Sequence, residues 1–345
     1  MPYVSVGSMP ACSNVSMYLC QYAPMLVCLH VPYANGFPSM TATAPSQHLA
    51  APDPQRLRGH VESLAAYERF NHDRHGEPLG YIDMAFSQAG LEVTGHTYAY
   101  EGRVGINLLG RKKGSDAGLP PLLVCAHYDT VQGSLGADDN ASGVAVMLEC
   151  ARLLSPLSLR RTVDFLALDM EEEQPDGEGL VGSRAFVREA VPTSLDYAGV
   201  FNLEMVGYTS GPGTQRLPPG FQLLFPQVYQ RLAERGFTGD GLALVSNTPS
   251  LPLAQALIIA ARRHAPGLEL APVEIPQGIS VPRDLFRSDH ASFWDASIPA
   301  VMLTDTANFR NPNYHANKDT PDTLDYDFMS RVTAALTGAL AALAQ

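Results

Sequence analysis

Side chains that bind metal ions or move protons recur at one kind of place in this sequence, the end of an apolar run. Four such runs, each typical of a buried strand, lead into histidine or acidic residues. These residues are His127 and Asp129, then Glu171, Glu172 and Glu173, then Glu204, and finally His315 some way beyond the last run. Histidine nitrogens and carboxylate oxygens, with no thiolate among them, suit Zn²⁺ in a site with open positions. A shared metal site is therefore the chemistry that this set would support.

A glycine-rich loop after the first run carries two further carboxylates. The run ends at His127, and the loop with Asp138 and Asp139 precedes a helical pattern over residues 142–154. Two interpretations are open here. Either Asp139 joins the metal site, or the loop is an ordinary turn with a helix cap, and His127 forms a local hydrogen bond with Asp129. This stretch by itself does not decide between them.

The apolar runs alternate with helical patterns, which predicts an α/β fold with a mostly parallel, doubly wound central sheet flanked by helices. A long amphipathic helix is predicted over residues 324–343, whereas residues 266–286 are predicted to be a variable loop. In such sheets, ligands bind in the crevice beyond the carboxyl ends of the strands. The residues at the strand ends are therefore expected to meet, and a carboxylate shared by two ions would make the site dinuclear.

The composition excludes several classes of protein. The chain has 345 residues, of which 46% are hydrophobic and 17% charged, and this is ordinary for a globular protein with a sizeable core. Its net charge of −12 opposes binding to nucleic acid and to anionic membrane surfaces. The five cysteines are odd in number, and Cys125 and Cys150 fall in a predicted core strand and helix. No disulfide framework is predicted from this pattern.

The first part of the chain differs in composition from the rest, because residues 1–52 contain no Lys, Arg, Asp or Glu. This break predicts a disordered N-terminal tail followed by a single domain over residues 53–345. The apolar residues 17–31 lack the basic start and the cleavage site of a secretory signal, and proline interrupts them too early for a membrane span. A cytoplasmic location is therefore expected. A translation start at Met40 instead of Met1 is an open alternative.

Six sequence blocks follow one another along the domain. They are the His-x-Asp of His127 and Asp129, GADDNASG at residues 136–143, the glutamates followed by GLVGS at 179–183, NLEMVGY around Glu204, SDHASFWDASIPAV at 288–301 and YHANKDTPDTLDY at 314–326. In this order they resemble the co-catalytic zinc aminopeptidase family, within the superfamily of zinc-dependent exopeptidases that also contains glutamate carboxypeptidases and glutaminyl cyclases. The resemblance implies a zinc exopeptidase catalytic domain over residues 53–345, two Zn²⁺ per chain, and a peptide substrate with a free N-terminus.

The resemblance also implies a role for each residue of the site. Asp139 would bridge the two ions, and Asp129 would orient a ligating histidine. Many relatives have Asp where this chain has Glu204, but the longer side chain still supplies a carboxylate. Tyr314 is either a hydrogen-bond donor to the oxyanion or a tyrosine packed in a loop. The implied metal ligands are His127, Asp139, Glu172, Glu204 and His315, with Glu171 as general base.

Three adjacent glutamates leave the assignment of base and ligand open, since the family pattern has two. Counting from Phe165 in the strand favours Glu171 as base and Glu172 as ligand. The competing register uses Glu172 and Glu173, and the insertion QPDGE after them removes the spacing to the next block as a guide. The reaction implied is metal-assisted hydrolysis, in which the base takes a proton from water and returns it to the leaving amine.

Three classes of function compete for this sequence. An aminopeptidase needs five ligands and a base, and the sequence offers all of them. The alternative is a glutaminyl cyclase-like aminoacyltransferase with a single zinc, which does not need both histidines. A non-catalytic interaction domain would be expected to have lost ligands. Asp289 and His290 are expected to cap a helix and to shape the pocket, because adjacent residues at a helix start rarely reach one ion.

Overall fold

The apolar runs of the sequence form the buried centre of an eight-stranded sheet. The computed structural model describes residues 49–70, 76–191, 197–275 and 282–345. The strands in chain order are β1 (Glu92–Tyr100), β2 (Arg103–Lys112), β3 (Leu122–His127), β4 (Val163–Leu168), β5 (Gly199–Glu204), β6 (Gly241–Asn247), β7 (Glu269–Ile275) and β8 (Ala300–Thr304). Every residue of β3, β4 and β8 is buried, which explains why these strands are almost continuously apolar instead of alternating.

The strand order is β1-β2-β4-β3-β5-β8-β6-β7. The four central strands β4, β3, β5 and β8 are mutually parallel. On one side β2 and β1 continue the sheet in antiparallel pairing, and on the other side β6 is antiparallel to β8 and parallel to β7. The predicted mostly parallel α/β sheet is thereby confirmed. The carboxyl ends of the four central strands lie at the same edge.

Helices cover both faces of the sheet. In chain order they are α1 (Pro54–Leu64), α2 (Gly76–Gln88), α3 (Gly143–Leu154), α4 (Val181–Ala185), α5 (Phe221–Leu224), α6 (Pro226–Glu234), α7 (Leu251–His264), α8 (His290–Asp295) and α9 (Tyr326–Leu343). Adjacent residues of β5 point to opposite faces. A side chain at Gly199 would collide with Leu253 of α7, whereas Val200 packs with Phe293 of α8. The sheet is therefore doubly wound, as predicted.

The long C-terminal helix agrees with its prediction, and its predicted apolar face is buried. Asp325 caps α9, because its carboxylate accepts a hydrogen bond of 2.8 Å from the Phe328 amide. The helix packs against α3 and α7 and closes one face of the domain. The residues on its buried face are Phe328, Val332, Leu336, Leu340 and Leu343.

The strands β6 and β7 differ from the sequence prediction. The predicted loop 266–286 contains β7, and β6 has no counterpart in the prediction. Pro272 lies inside β7 and argues against a strand, but β7 is the last strand of the sheet, and an edge strand tolerates a residue without a backbone N–H. The helical segment over residues 221–234 is divided into α5 and α6 at Phe225, directly before Pro226.

The predicted tail lies almost entirely outside the described residues, so its disorder and the predicted location of the protein stay predictions. The described part of the chain begins shortly before α1, whose first turn is capped by the Asp53 carboxylate at 2.9 Å from the Gln55 amide. Within the described ranges, every helix is too short or too polar to cross a membrane. Cys125 and Cys150 are buried and are not in disulfides.

Candidate metal centre

The parallel strands bring the predicted site residues to one edge of the sheet. His127 is the last residue of β3, and Glu204 is the last residue of β5. Glu171 and Glu172 lie three and four residues after the end of β4, and His315 lies in the loop after β8. These side chains form three overlapping groups that could each hold a metal ion. The groups are His127, Glu171 and Glu172; His127, Asp139 and Glu204; and Asp139, Glu172 and His315.

Asp139 lies between the two histidines. Its Oδ1 is 3.3 Å from Nε2 of His127, and its Oδ2 is 3.3 Å from Nε2 of His315. The two oxygens of one carboxylate thus face different imidazoles. This is the arrangement that a carboxylate shared by two ions requires.

The buried polar atoms around His127 fit a cation. Its Nε2 lies 3.6 Å from Glu204 Oε2 and 3.8 Å from Glu171 Oε2, which is too far for good hydrogen bonds. Among the described residues, neither ring nitrogen of His127 nor Oε1 of Glu172 has a hydrogen-bond partner. Leaving such atoms unpaired in the interior costs free energy, whereas a metal ion bound to Nε2 of His127 and to the Glu172 carboxylate would satisfy these two groups. The donor set of imidazole and carboxylate groups therefore fits Zn²⁺.

Asp129 lies behind His127 and also holds the glutamate segment. One of its oxygens is 3.4 Å from Nδ1 of His127. The same carboxylate accepts hydrogen bonds from the backbone amides of Glu171 at 3.1 Å and Glu172 at 3.2 Å. Met170, directly before them, has a φ of +53°, so the chain turns sharply at the end of β4. One carboxylate thereby fixes both the imidazole ring and the two glutamates opposite it.

The three glutamates differ in where their side chains lie. Glu171 and Glu172 are buried, with 8% and 6% of their surface exposed, and Glu173 is exposed. Glu172 Oε2 is 3.3 Å from Nε2 of His315, and Glu172 belongs to two of the groups, whereas Glu171 belongs only to the group with His127 and Glu172. Glu173 belongs to none of the three groups that could hold a metal within the described residues.

Burial and neighbouring charges shift the pKa values of several groups in this cluster, including Glu172 and His315. Burial and the nearby Asp139 carboxylate raise the pKa of Glu172 to about 7. Burial opposes the charged form of His315, but the Asp139 and Glu172 carboxylates, each with an oxygen 3.3 Å from Nε2, favour it more strongly and raise the pKa of His315 to about 10. Several carboxylates thus compete for few protons and cations, which is the condition in which a divalent ion binds strongly.

A network of hydrogen bonds holds the loop that carries Asp139. The Asp319 carboxylate accepts from the backbone amides of Asp138 at 2.9 Å and Asp139 at 3.0 Å. Asp138 in turn accepts from the Gly207 amide at 3.0 Å and from Nδ2 of Asn311 at 2.7 Å. Asp138, whose role could not be assigned from its sequence neighbours, therefore ties this loop to two neighbouring loops.

Glu204 is oriented by a serine that the sequence analysis did not single out. Oγ of Ser288 donates to Glu204 Oε2 at 2.6 Å and accepts from Nδ2 of Asn202 at 2.7 Å. Ser288 opens the SDH sequence, but the hypothesis that Asp289 caps α8 is wrong, since the Asp289 side chain makes no capping hydrogen bond. His290 instead has Nε2 3.0 Å from the Leu285 carbonyl oxygen.

Tyr314 packs directly on His315. The two rings are stacked with their centroids 3.7 Å apart, and Nη2 of Arg287 donates to the Tyr314 hydroxyl at 2.6 Å. The tyrosine is therefore held from both sides. Because Arg287 occupies an acceptor position of the hydroxyl oxygen, the hydroxyl hydrogen stays free to donate elsewhere.

An apolar cavity of about 260 Å³ adjoins the centre. Glu204, Ser288 and Tyr314 line it where it meets the candidate ligands. The opposite wall comes from α5, α6 and the strands β6, β7 and β8. Its apolar residues include Phe221, Val228, Val245, Val273 and Met302. A side chain held in this cavity would lie next to the candidate ligands.

The sequence of this chain matches a known peptidase family. Residues 107–234 and 267–340 match the sequence model of Peptidase family M28. The match includes His127, Asp139, Glu172, Glu204 and His315. A protein of Escherichia coli (strain K12), described as "Uncharacterized protein YfbL", is 30% identical over 320 residues, which are 90% of this chain and 91% of that protein.

Further relatives carry descriptions of activity. Aminopeptidase YwaD of Bacillus subtilis (strain 168) is 38% identical over 118 residues, which are 34% of this chain and 25% of that protein. The fold is similar to that of a leucine aminopeptidase precursor from Bacteroides thetaiotaomicron, with a TM-score of 0.63 at 18% identity, over 85% of this chain and 98% of the other. A glutaminyl cyclase from the same organism gives the same TM-score and identity, over 85% and 99% of the two chains.

Proposed function

Because this chain belongs to peptidase family M28, we propose that it is a zinc-dependent aminopeptidase that removes the N-terminal residue of peptides with two Zn²⁺ per chain. The chain is a hydrolase of the metallopeptidase class. The observation that carries the two-metal proposal is the position of Asp139, with its two oxygens each 3.3 Å from Nε2 of a different histidine. The catalytic domain is proposed to span residues 53–345.

The proposed ligands follow from the overlapping groups around Asp139. His127 and Glu204 would hold one ion with Asp139, and Glu172 and His315 would hold the other. When bound, zinc supplies Lewis acidity, which polarises the peptide carbonyl and lowers the pKa of water. Imidazole and carboxylate ligands without thiolate are consistent with such a catalytic site.

The remaining steps are proton transfers and orientation by the chain itself. Glu171 takes a proton from the attacking water on its carboxylate and delivers it to the nitrogen of the leaving amine. Asp129 keeps the His127 ring in place through Nδ1, which faces its carboxylate at 3.4 Å. The Tyr314 hydroxyl donates to the carbonyl oxygen as negative charge develops there.

The surroundings favour a substrate with a free amino terminus and an apolar first residue. The carboxylates at this edge of the sheet attract an α-ammonium group, which a blocked peptide lacks. The cavity of about 260 Å³ beside Glu204 has room for an apolar side chain. The N-terminal residue is thus proposed to bind with its ammonium near the carboxylates and its side chain in the cavity.

A panel of chromogenic substrates tests the proposed reaction. We expect leucyl-p-nitroanilide to be cleaved and its N-acetyl derivative to be resistant, because acetylation removes the positive charge and adds bulk next to the carboxylates. Cleavage should stop after removal of metal by a chelator and return on addition of Zn²⁺. Equal cleavage of free and blocked substrates would exclude an aminopeptidase.

A second prediction concerns the first residue of the substrate. Burial of a leucine side chain contributes about 1.5–3 kcal/mol, so kcat/KM for leucyl substrates should exceed that for glycyl substrates by about 10- to 150-fold. Val228→Trp, which fills part of the cavity, should reduce this ratio. Leu223→Trp is the matched control, since Leu223 is 87% exposed and does not line the cavity. If the ratio of kcat/KM for leucyl to glycyl substrates were unchanged in Val228→Trp, the first side chain of the substrate would not bind in this cavity.

Cyclisation of N-terminal glutamine is the second candidate function. The similarity of the fold to a glutaminyl cyclase favours it, although that similarity is equal to the one with the leucine aminopeptidase precursor. The two functions differ in metal content and in product. Formation of pyroglutamate from a glutaminyl peptide with one zinc per chain would identify the cyclase, and release of free glutamine with two zinc ions would identify the aminopeptidase.

A further inference from the structure

A buried arginine outside the family match holds the backbone next to the metal ligands. Arg69 follows α1 and is 1% exposed. Its guanidinium donates to four carbonyl oxygens. They belong to Tyr128 (2.6 Å), Leu64 (2.7 Å), Leu135 (2.8 Å) and Gly136 (2.8 Å). The planar guanidinium has five N–H groups in a fixed fork, so it sets the relative positions of these carbonyl groups.

Three of these carbonyl groups belong to the segment that joins two proposed ligands. Tyr128 follows His127 directly, and Gly136 lies three residues before Asp139. The backbone amide of Arg69 also donates to Oγ1 of Thr130 at 3.0 Å, so the segment is held at a further point. A movement of Arg69 would therefore change the position of Asp139 relative to His127.

Gly136 shows how closely the arginine approaches this segment. Its φ is +57°, and a Cβ atom at this position would lie 2.8 Å from Nη2 of Arg69 and 2.2 Å from the Asp139 carbonyl oxygen. Arg69, Gly136 and the backbone of Asp139 are thus in direct contact. On the other side of the loop, Asp319 accepts from the Asp138 and Asp139 amides. The loop is held between a buried cation and a buried carboxylate.

The charge of Arg69 is also matched to its surroundings. Burial lowers the pKa of the guanidinium to about 10, while the carboxylates of Asp319, Asp129 and Asp139 favour its charged form. The group therefore stays a cation at neutral pH and offsets part of the negative charge that collects at this edge of the sheet.

We propose that Arg69 is a positioning residue of the metal centre, which fixes the segment from Tyr128 to Gly136 so that Asp139 meets both histidines. This inference rests on the proposed metal centre. It assigns a role in metal binding to a residue from the part of the chain that precedes the family match, which begins at residue 107. Residues that orient metal ligands without touching the ion typically contribute 10- to 100-fold to metal affinity.

The test compares two buried arginines. Arg161 is 2% exposed and also donates to backbone carbonyls, those of Leu343 and Pro120, but it precedes β4 and so lies at the opposite end of the strand from the metal ligands. Zinc affinity is measured by competition with a chromogenic chelator. The thermal midpoint of the metal-free protein is measured in parallel. Both Arg69→Met and Arg161→Met are expected to lower the midpoint, because each leaves buried carbonyl groups without partners.

Only Arg69→Met should also weaken zinc binding, by about 10- to 100-fold. Arg69→Lys should weaken it less, because an ammonium keeps the charge and reaches some of the carbonyl groups. If Arg69→Met does not fold, the comparison of Arg69→Lys with Arg161→Lys takes its place. Equal zinc affinity in the Arg69 and Arg161 variants would overturn the proposal. Zinc binding by the unsubstituted protein tests the metal centre itself. Failure of the proposed metal centre is therefore distinguishable from failure of the proposed role of Arg69.

Discussion

Glu171→Gln is expected to lower kcat by about 10²- to 10⁴-fold while the zinc content of the chain stays unchanged. Glutamine has nearly the same shape as glutamate, but its amide cannot take a proton from water. Glu171 is buried beside His127, with Oε2 3.8 Å from Nε2, and its backbone amide is held by Asp129 at 3.1 Å. The measurement is kcat on a leucyl chromogenic substrate together with elemental analysis of zinc per chain.

Glu173 provides the matched control for this experiment. It lies two residues away, has the same chemistry and is exposed. Glu173→Gln should therefore have kcat within about twofold of the unsubstituted protein, as is usual for surface substitutions. The opposite result, an inactive Glu173→Gln and an active Glu171→Gln, would favour the competing register, in which Glu172 is the base and Glu173 a ligand.

Asp139→Asn should remove zinc from both positions of the centre. The Asp139 carboxylate faces His127 and His315 at 3.3 Å each, so one substitution weakens both groups of ligands. Because the metal ions contribute several kcal/mol to the reaction, activity should fall by at least about 10³-fold. Zinc content after dialysis should fall from about two to near zero per chain, in a protein whose circular dichroism spectrum is unchanged.

His315→Gln and Glu204→Gln are the comparisons for the bridging role. His315 belongs only to the group with Asp139 and Glu172, and Glu204 belongs only to the group with His127 and Asp139. Each of these variants should therefore keep about one zinc per chain. If Asp139→Asn also kept about one zinc per chain, Asp139 would be a ligand of one ion only, and the proposal of a shared carboxylate would fail.

The zinc count also separates the two candidate functions. A cyclase with a single zinc would contain one ion before any substitution, and at least one of the two histidines would be dispensable for metal binding. The aminopeptidase requires both, because each histidine faces a different oxygen of Asp139. These measurements need no knowledge of the natural substrate.

The fold and the set of candidate ligands are largely predictable from the sequence because both depend on simple patterns. A strand buried on both faces must be continuously apolar, so β3, β4, β5 and β8 are visible as runs. Parallel strands end at one edge, so the residues that follow them are expected to meet. The edge strand β7 was not predictable in this way, because it is partly exposed and contains Pro272.

The choice among the glutamates required the tertiary structure. In the sequence, Glu171, Glu172 and Glu173 are chemically identical neighbours. In the structure, the chain turns at Met170 and Asp129 binds two successive amides, which directs two side chains inwards and leaves the third exposed. The roles of base and ligand among them stay a prediction that the substitutions above will test.

The sequence by itself determined which residue types stand at the strand ends, because strand pattern and ligand chemistry are properties of short segments. Only the tertiary structure decided how the ligands are held. Arg69 binds carbonyl groups 59 and 67 residues further along the chain, and Asp319 binds amides about 180 residues before it. Every residue has a carbonyl group and nearly every residue an amide, so no sequence pattern marks these partners. Only the packing of distant segments against each other selects them.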